Sequence, residues 1–396
     1  MKIMSVNAGS SSLKFQLLRM PEELEIASGI VERIGNNNAE FTLKFNGEKF
    51  VSKDLVILDH SVAVDLVINS LIEHKVIETL DEIQGVGHRV VQGGELFKDS
   101  VIIDDEVVLK IASLNDLAPL HNPAHIIGIN AFRKILPNVV QVAVFDTTFH
   151  QTMPAENYLY AVPYEWYEKH GVRKYGAHGT SHQYVSQEAI KRLGNKENSK
   201  IIVCHIGNGA SITAVLDGKS VDTSMGLTPL EGIPMGTRSG NIDPSIFQLM
   251  NKKEGYSLEK TLNELNKSSG YLGVSGVSHD SRDIIAAAEQ GNKRAQLALD
   301  IQSKRIADYI ASYYVLLGGL DALVFTAGIG ENSKELRLNV CKRLEVLGIE
   351  IDEEKNNSRG DKEISKDTSK VKIWVIPTNE EVMIARDVIR LGNFKK

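Results

Sequence analysis

The sequence predicts an α/β fold, and three observations carry that reading. Apolar strand-like runs alternate with helix-period segments along nearly the whole chain. Two stretches, IMSVNAGSSSLKFQLL (3–18) and IIVCHIGNGASITAVL (201–216), share one plan: apolar strand, small-polar turn, alternating strand. Each is followed by a third strand candidate, EIASGIVERI in one half and KSVDTSM in the other. Finally, 396 residues suit two or three domains, each with its own core. The internal similarity admits two readings, duplicated domains facing each other across a cleft or two unrelated hairpins, since strand-turn-strand units are common.

The elements follow in order. DHSVAVDLVINSLIEHK (59–75) has helical periodicity, and GVGHRVV (85–91) reads as a short strand. HNPAHIIGINAFRKILPN (121–138) reads as a helix with Asn122 as N-cap, Pro123 in the first turn and Pro137 ending it. VVQVAVFDTTFH (139–150) is a buried strand that stops on Asp146. TSHQYVSQEAIKRLG (180–194) starts on hydroxyl caps and closes on glycine. A long helix over 292–317 feeds the strand DALVFTAGIGEN (321–332), and the polar run 353–370 reads as a surface loop.

Composition narrows the function classes. The chain is 42% hydrophobic and 24% charged, with a formal net charge of -6. That balance gives no electrostatic case for nucleic acid or an anionic membrane surface. Two cysteines, Cys204 and Cys341, make neither a disulfide framework nor a metal cluster. No apolar run approaches the roughly 20 residues of a membrane span, and the first residues lack a signal-peptide apolar region. The expectation is a soluble cytoplasmic protein without nucleic-acid or membrane partners.

The turns carry the chemistry. A tight hairpin needs about two turn residues, yet Asn7–Ser12 spends six small positions and then places Lys14 just beyond. HIGNGAS (205–211) and FTAGIGEN (325–332) are also glycine-rich and follow strands. Backbone amides in such turns can cradle phosphate; each alone reads equally as a tight turn needing positive φ. Three in one chain favour a nucleotide. DGKS (217–220) lacks the first P-loop glycine, since Thr213 stands there, and GIGENS has Ser333 in place of the third dinucleotide glycine. The pairs His178/His182 and His121/His125 have i,i+4 spacing but lack the glutamate of a hydrolytic zinc motif. Arg89 in an apolar strand and Arg238 in a glycine-rich loop invite an anion, with a structural ion pair as the alternative for Arg89. Glu380 and Glu381 stand at a helix start, where capping or dipole stabilisation accounts for one of them.

Taken together, VNAGSSSLKF, GHRVVQGGE, LAPLHNP, FDTTFH, YGAHGTSH, HIGNGAS, GLTPLEGIPMGTRSGNIDP, TAGIGEN and PTNEE resemble the acetate kinase family, in order and over essentially the whole chain. The resemblance implies two duplicated domains of the actin-like ATPase (ribonuclease H-like) type with the active site in the cleft between them. It places the first domain at 1–148, with the terminal helix 382–396 packing back on it, and the second at 149–381. It implies a homodimer that transfers the γ-phosphoryl group of ATP to acetate, reversibly, giving ADP and acetyl phosphate. Mg2+ is the implied cofactor, with Mn2+ as a substitute.

By the same resemblance Asn7 and Glu380 are the metal-associated pair, and Asp146, His178 and Arg238 are the catalytic group. Arg89, Val91, Leu120, His121 and Pro229 bind the acyl substrate. Nucleotide contacts fall on Lys14, on His205, Ile206, Gly207, Asn208 and Gly209, on Asp280, Ser281 and Arg282, and on Gly328, Ile329, Gly330, Glu331 and Asn332. Gln92, Ser281 and Ala177 depart from common family residues, histidine, an apolar residue and phenylalanine. Acetate is already a nucleophile at neutral pH, so the chemistry asks for two repelling anions to be brought into line. Asp146 then reads as positioning an arginine or a magnesium-bound water rather than as a base. The rivals are a propionate or butyrate kinase, a nucleotide switch on the same fold, and an NAD-dependent oxidoreductase whose fingerprint fails.

Overall fold

The computed structural model describes residues 1–119 and 121–394, so Leu120 lies outside the described residues. The chain forms two compact units, Met1–Thr148 with Asn379–Lys396, and Phe149–Thr378. No helix among the described residues is long and apolar enough to cross a membrane.

The first unit is built on eight strands: β1 (Lys2–Ala8), β2 (Ser12–Arg19), β3 (Leu24–Glu32), β4 (Ala39–Phe45), β5 (Glu48–Leu55), β6 (Ile83–Val90), β7 (Val101–Ile102) and β8 (Val140–Phe145). Their order is β5-β4-β3-β2-β1-β6-β8-β7. Strands β1 to β3 are antiparallel, whereas β1, β6 and β8 run parallel. Helix α1 (His60–Glu73) starts on Asp59, whose carboxylate accepts from the Val62 amide at 3.0 Å. Met4, Val6, Leu13, Phe15, Val64, Val67 and Phe132 pack together as its core.

Helix α2 (Asn122–Ile135) begins one residue away from the sequence reading: His121 is the N-cap. The Asn122 side chain is committed elsewhere, its Oδ1 accepting from the Gln92 amide at 3.2 Å and its Nδ2 donating to the Gln92 carbonyl at 3.0 Å. A buried amide that braces a loop cannot also cap its own helix.

The C-terminal helix Glu380–Leu391 packs on β1, β6 and β8. Glycines in β6 make that approach possible. A Cβ at Gly85 would lie 2.5 Å from Val388 Cγ1, and one at Gly87 would lie 2.2 Å from Ile384 Cγ2. Neither glutamate caps this helix; Asn379 does, accepting from the Val382 amide at 3.1 Å. Short polar Asn reaches the first-turn amides more easily than Glu does.

The second unit holds β9 (Lys200–Ile206), β10 (Ala210–Leu216), β11 (Lys219–Thr223), β12 (Ala322–Thr326), β13 (Lys362–Glu363) and β14 (Lys372–Val375), ordered β11-β10-β9-β12-β14-β13. Strands β9 to β11 are antiparallel, and β9, β12 and β14 are parallel. The five-strand plan β3-β2-β1-β6-β8 therefore recurs as β11-β10-β9-β12-β14, which favours a repeated unit over two unrelated hairpins. Helix α3 (Gly179–Arg192) packs on β9 and β12. Its N-cap is His178, not the hydroxyls of Thr180 and Ser181, which fall inside the first turn. Helix α4 (Ser281–Glu289) and the long α5 (Lys293–Leu317) follow, the latter capped by Asn292. The strand expected through residue 332 ends at Thr326, and Ala327–Asn332 is the short helix α6. Within the polar run 353–370 a short helix (Glu353–Asn356) and β13 interrupt the expected loop.

Candidate active site

In the first unit, Arg89 leaves the end of β6 and Asp146 follows the end of β8, so adjacent parallel strands deliver both to the same sheet edge. Arg89 Nε donates to Asp146 Oδ1 at 2.9 Å and Nη2 to Oδ2 at 2.7 Å, a two-pronged pair with the carboxylate buried. Glu380 Oε2 stands 4.0 Å from Arg89 Nε. Burial opposes the Arg89 charge, but Asp146 and Glu380 outweigh it and hold the guanidinium above its usual range. Burial pushes the Glu380 carboxyl above the ordinary carboxylate range, against the pull of Arg89 and with the repulsion of Asp146 added.

A cavity of about 10 Å³ is lined by Asn7, Lys14, Arg89, Glu380 and Glu381 among others. That is room for about one water-sized occupant, facing hard oxygen donors from Asn7 and Glu380. Magnesium takes such donors and often uses only one or two protein ligands beside substrate phosphates, so this donor set fits it. Among the described residues no cluster of three or more His, Cys, Asp or Glu side chains could hold a metal. Lys14, expected at the nucleotide, is paired with Glu381 at 2.6 Å. The turn after β1 is closed by Gly9, whose amide donates to the Ser12 carbonyl at 2.8 Å and whose carbonyl accepts from His60 Nε2 at 2.7 Å.

In the second unit the backbone of His178 is left-handed, with φ 54°, unusual for a residue with a side chain. His178 Nε2 and Arg238 Nη1 converge over Gly209: a methyl group there would lie 3.4 Å from the first and 3.6 Å from the second. Arg238 is half-buried, and its contacts are the Pro229 carbonyl at 3.3 Å and Met235 Sδ at 3.7 Å. Among the described residues no carboxylate pairs with it, and burial alone pulls its pKa down. A partly desolvated cation without a counter-ion is costly, so an anion beside it would be favourable.

A pocket of about 640 Å³ in the same unit is lined by Gly207, Asn208, Asp280, Ser281, Arg282, Gly328, Ile329 and Asn332, together with His279 and Arg359. It gathers most of the expected nucleotide contacts. His205, Ile206, Gly209, Gly330 and Glu331 are not among its walls. Glu331 turns inward, its Oε1 accepting from the amides of Ala327 at 2.8 Å and Thr378 at 3.3 Å. Arg282 folds onto Asp280, Nε to Oδ1 at 3.0 Å, and that contact holds the half-exposed Asp280 carboxyl down to about 2.

Val91 is buried just beyond β6, His121 is the half-exposed cap of α2, and the Pro229 carbonyl is turned to Arg238. Reading the sequence missed the supports: Asn122 under Gln92, His60 on Gly9, and Ser211 between two imidazoles. Their polar character was visible, but only tertiary structure says whom they meet. Buried Arg337 likewise donates to the carbonyls of Gly330 at 2.8 Å and Glu331 at 2.9 Å, bracing α6 from below.

Comparison with known proteins gives the family and the fold. The chain is 81% identical to the acetate kinase of Acholeplasma laidlawii, over 99% of this chain and 100% of that protein. It superposes on the crystal structure of Porphyromonas gingivalis acetate kinase with a TM-score of 0.95 at 45% identity, covering 99% of this chain and 100% of the other. A propionate kinase from Francisella tularensis gives a TM-score of 0.92 at 46% identity, over 98% and 99% of the two chains. The fold is thus the actin-like ATPase type carried by these kinases. With the Acetokinase family model matching residues 2–386, the chain belongs to the acetokinase family.

Proposed function

We propose that this protein is an acetate kinase that moves the γ-phosphoryl group of ATP directly onto acetate, reversibly, with magnesium. The observation that carries the reading is Arg238, a half-buried guanidinium without a carboxylate partner among the described residues, converging with His178 Nε2 over the glycine-rich turn at Gly209. Donors so arranged suit the equatorial oxygens of a transferring phosphoryl group. In this reading the pocket of Gly207, Asn208, Asp280–Arg282, Gly328, Ile329 and Asn332 takes the nucleotide. In the first unit, Arg89 holds the acetate carboxylate beside buried Val91, with Asp146 fixing the guanidinium. Asn7 and Glu380 would hold Mg2+, which supplies charge neutralisation at the phosphates.

The family resemblance further supports Mn2+ as a substitute metal, a homodimer and a cytoplasmic location. Sedimentation analysis tests the dimer. Steady-state assays with ATP, magnesium and acetate, propionate or butyrate test the activity. Acetate-dependent release of ADP with formation of acetyl phosphate is the expected result. ATP hydrolysis indifferent to every carboxylate would overturn the reading, and a preference for propionate would move the protein to the propionate-kinase branch that the Francisella structure represents.

A further inference from the structure

Ser211 is fully buried on β10, and its hydroxyl meets two imidazoles: His178 Nδ1 at 2.8 Å and His182 Nε2 at 2.7 Å. Those two nitrogens are its only hydrogen-bond partners among the described residues. The register of α3 makes this possible, because residues four apart lie on one face of a helix and α3 packs over β9 beside β10.

The hydroxyl has one hydrogen, so the two histidines cannot both accept from it. If both donated to it, the serine hydrogen would be buried without an acceptor. One imidazole therefore donates and the other accepts. His182 decides which. It is fully buried near His150 and His205, with ring centroids 5.8 and 6.0 Å away. Burial first, and then those neighbours, drive its pKa well down, so it is neutral and carries a single N–H. Its Nδ1 has no hydrogen-bond partner among the described residues. A proton on Nδ1 would be an orphaned buried donor, rarer than an under-satisfied acceptor. The proton belongs on Nε2, directed at Ser211.

We infer that His182 and Ser211 are positioning residues that fix the tautomer of His178: His182 Nε2–H donates to Ser211 Oγ, Ser211 O–H donates to His178 Nδ1, and the His178 proton is held on Nε2. That nitrogen is the one beside Arg238 Nη1 over Gly209. The opposite tautomer would present a lone pair to an anionic phosphoryl group. The consequence for rate rests on the role proposed above for His178; the tautomer itself does not.

The test uses full-length protein with ring-15N histidine, reading the His178 tautomer by long-range 1H–15N correlation, with His178→Gln to assign the signals. Wild type should show a bare Nδ1 and a protonated Nε2. His182→Leu and Ser211→Ala should lose that preference, and kcat should fall about tenfold or more while KM for ATP holds, as second-layer and wrong-tautomer losses do elsewhere. His182→Gln, which keeps an N–H near the Nε2 position, should restore both tautomer and kcat. Ser211→Ala serves if His182→Leu fails to fold. A wild-type His178 protonated on Nδ1, or an unchanged tautomer in Ser211→Ala, overturns the relay. A changed tautomer with unchanged kcat upholds the relay and counts against His178 as the phosphoryl donor contact.

Discussion

Arg89 and Asp146 form a two-pronged pair, Nε to Oδ1 at 2.9 Å and Nη2 to Oδ2 at 2.7 Å, with the carboxylate sealed from solvent. Both oxygens of Asp146 are thereby occupied in holding a cation. A carboxylate so engaged orients the guanidinium and is poorly placed to take a proton, and acetate has none to give.

Asp146→Asn should therefore slow turnover by about 10²-fold through a misplaced arginine without changing the shape of the pH–rate profile. Loss of one limb of that profile would mark Asp146 as a base. Removing one partner of a buried pair also costs about 3–5 kcal/mol, so a lower urea midpoint should accompany the kinetic loss.

Glu380 and Glu381 are adjacent but differently placed, one buried near Arg89 and the other paired with Lys14. Glu380→Ala should raise the magnesium concentration needed for half-maximal rate. Glu381→Ala breaks a partly exposed pair, worth about 1 kcal/mol or less, and should leave the magnesium requirement alone. Titrations of rate against magnesium separate the two, and the reverse pattern would exchange their roles.

Much of this was legible in the sequence because strand periodicity and glycine-rich turns are local signals. The two hairpins, α1 and α5 follow from apolar spacing, and the structure adds their caps, Asp59 and Asn292. What failed was assignment of short polar residues near helix starts. Asn122 has the right chemistry to cap α2, yet a loop from another strand claims its amide, and His178 takes the cap of α3 in a left-handed conformation. Glu331, expected at the nucleotide, also braces the backbone through Oε1, a role its residue type alone did not show. In each case the residue type was informative and the partner, set by tertiary packing, was not.

Val91 lies buried directly after β6, two residues from Arg89. An aliphatic wall limits discrimination to roughly 10–200-fold per methylene, since overpacking costs only about 1–3 kcal/mol. Wild type should prefer acetate but use propionate measurably, and Val91→Ala should move the kcat/KM ratio toward propionate. An unchanged ratio would remove Val91 from the acyl site.

His88 gives a pH prediction independent of catalysis. It is buried, donates Nε2–H to Gln141 Oε1 at 2.8 Å, and burial lowers its pKa from 6.5 to about 4. The unfolded chain takes up a proton below pH 6.5 that the folded chain refuses until about pH 4. Stability is thus full above 6.5 and declines on acidification across that window, by about 3 kcal/mol for this group. His88→Gln keeps an N–H donor and should flatten the decline in urea midpoint between those pH values. An equal decline in the variant would show that His88 does not contribute.

Arg238 remains the residue on which the functional reading turns, because a half-buried guanidinium that, among the described residues, pairs with a carbonyl and a thioether and with no carboxylate favours an anion. The direct measurement is turnover and ATP affinity in Arg238→Ala, made on the same preparation with magnesium and saturating acetate. Turnover should fall by on the order of 10³–10⁵ while the ATP dissociation constant changes little, because the lost contact belongs to the transferring phosphoryl group. Turnover within about threefold of wild type would contradict that role and leave Arg238 as a structural residue.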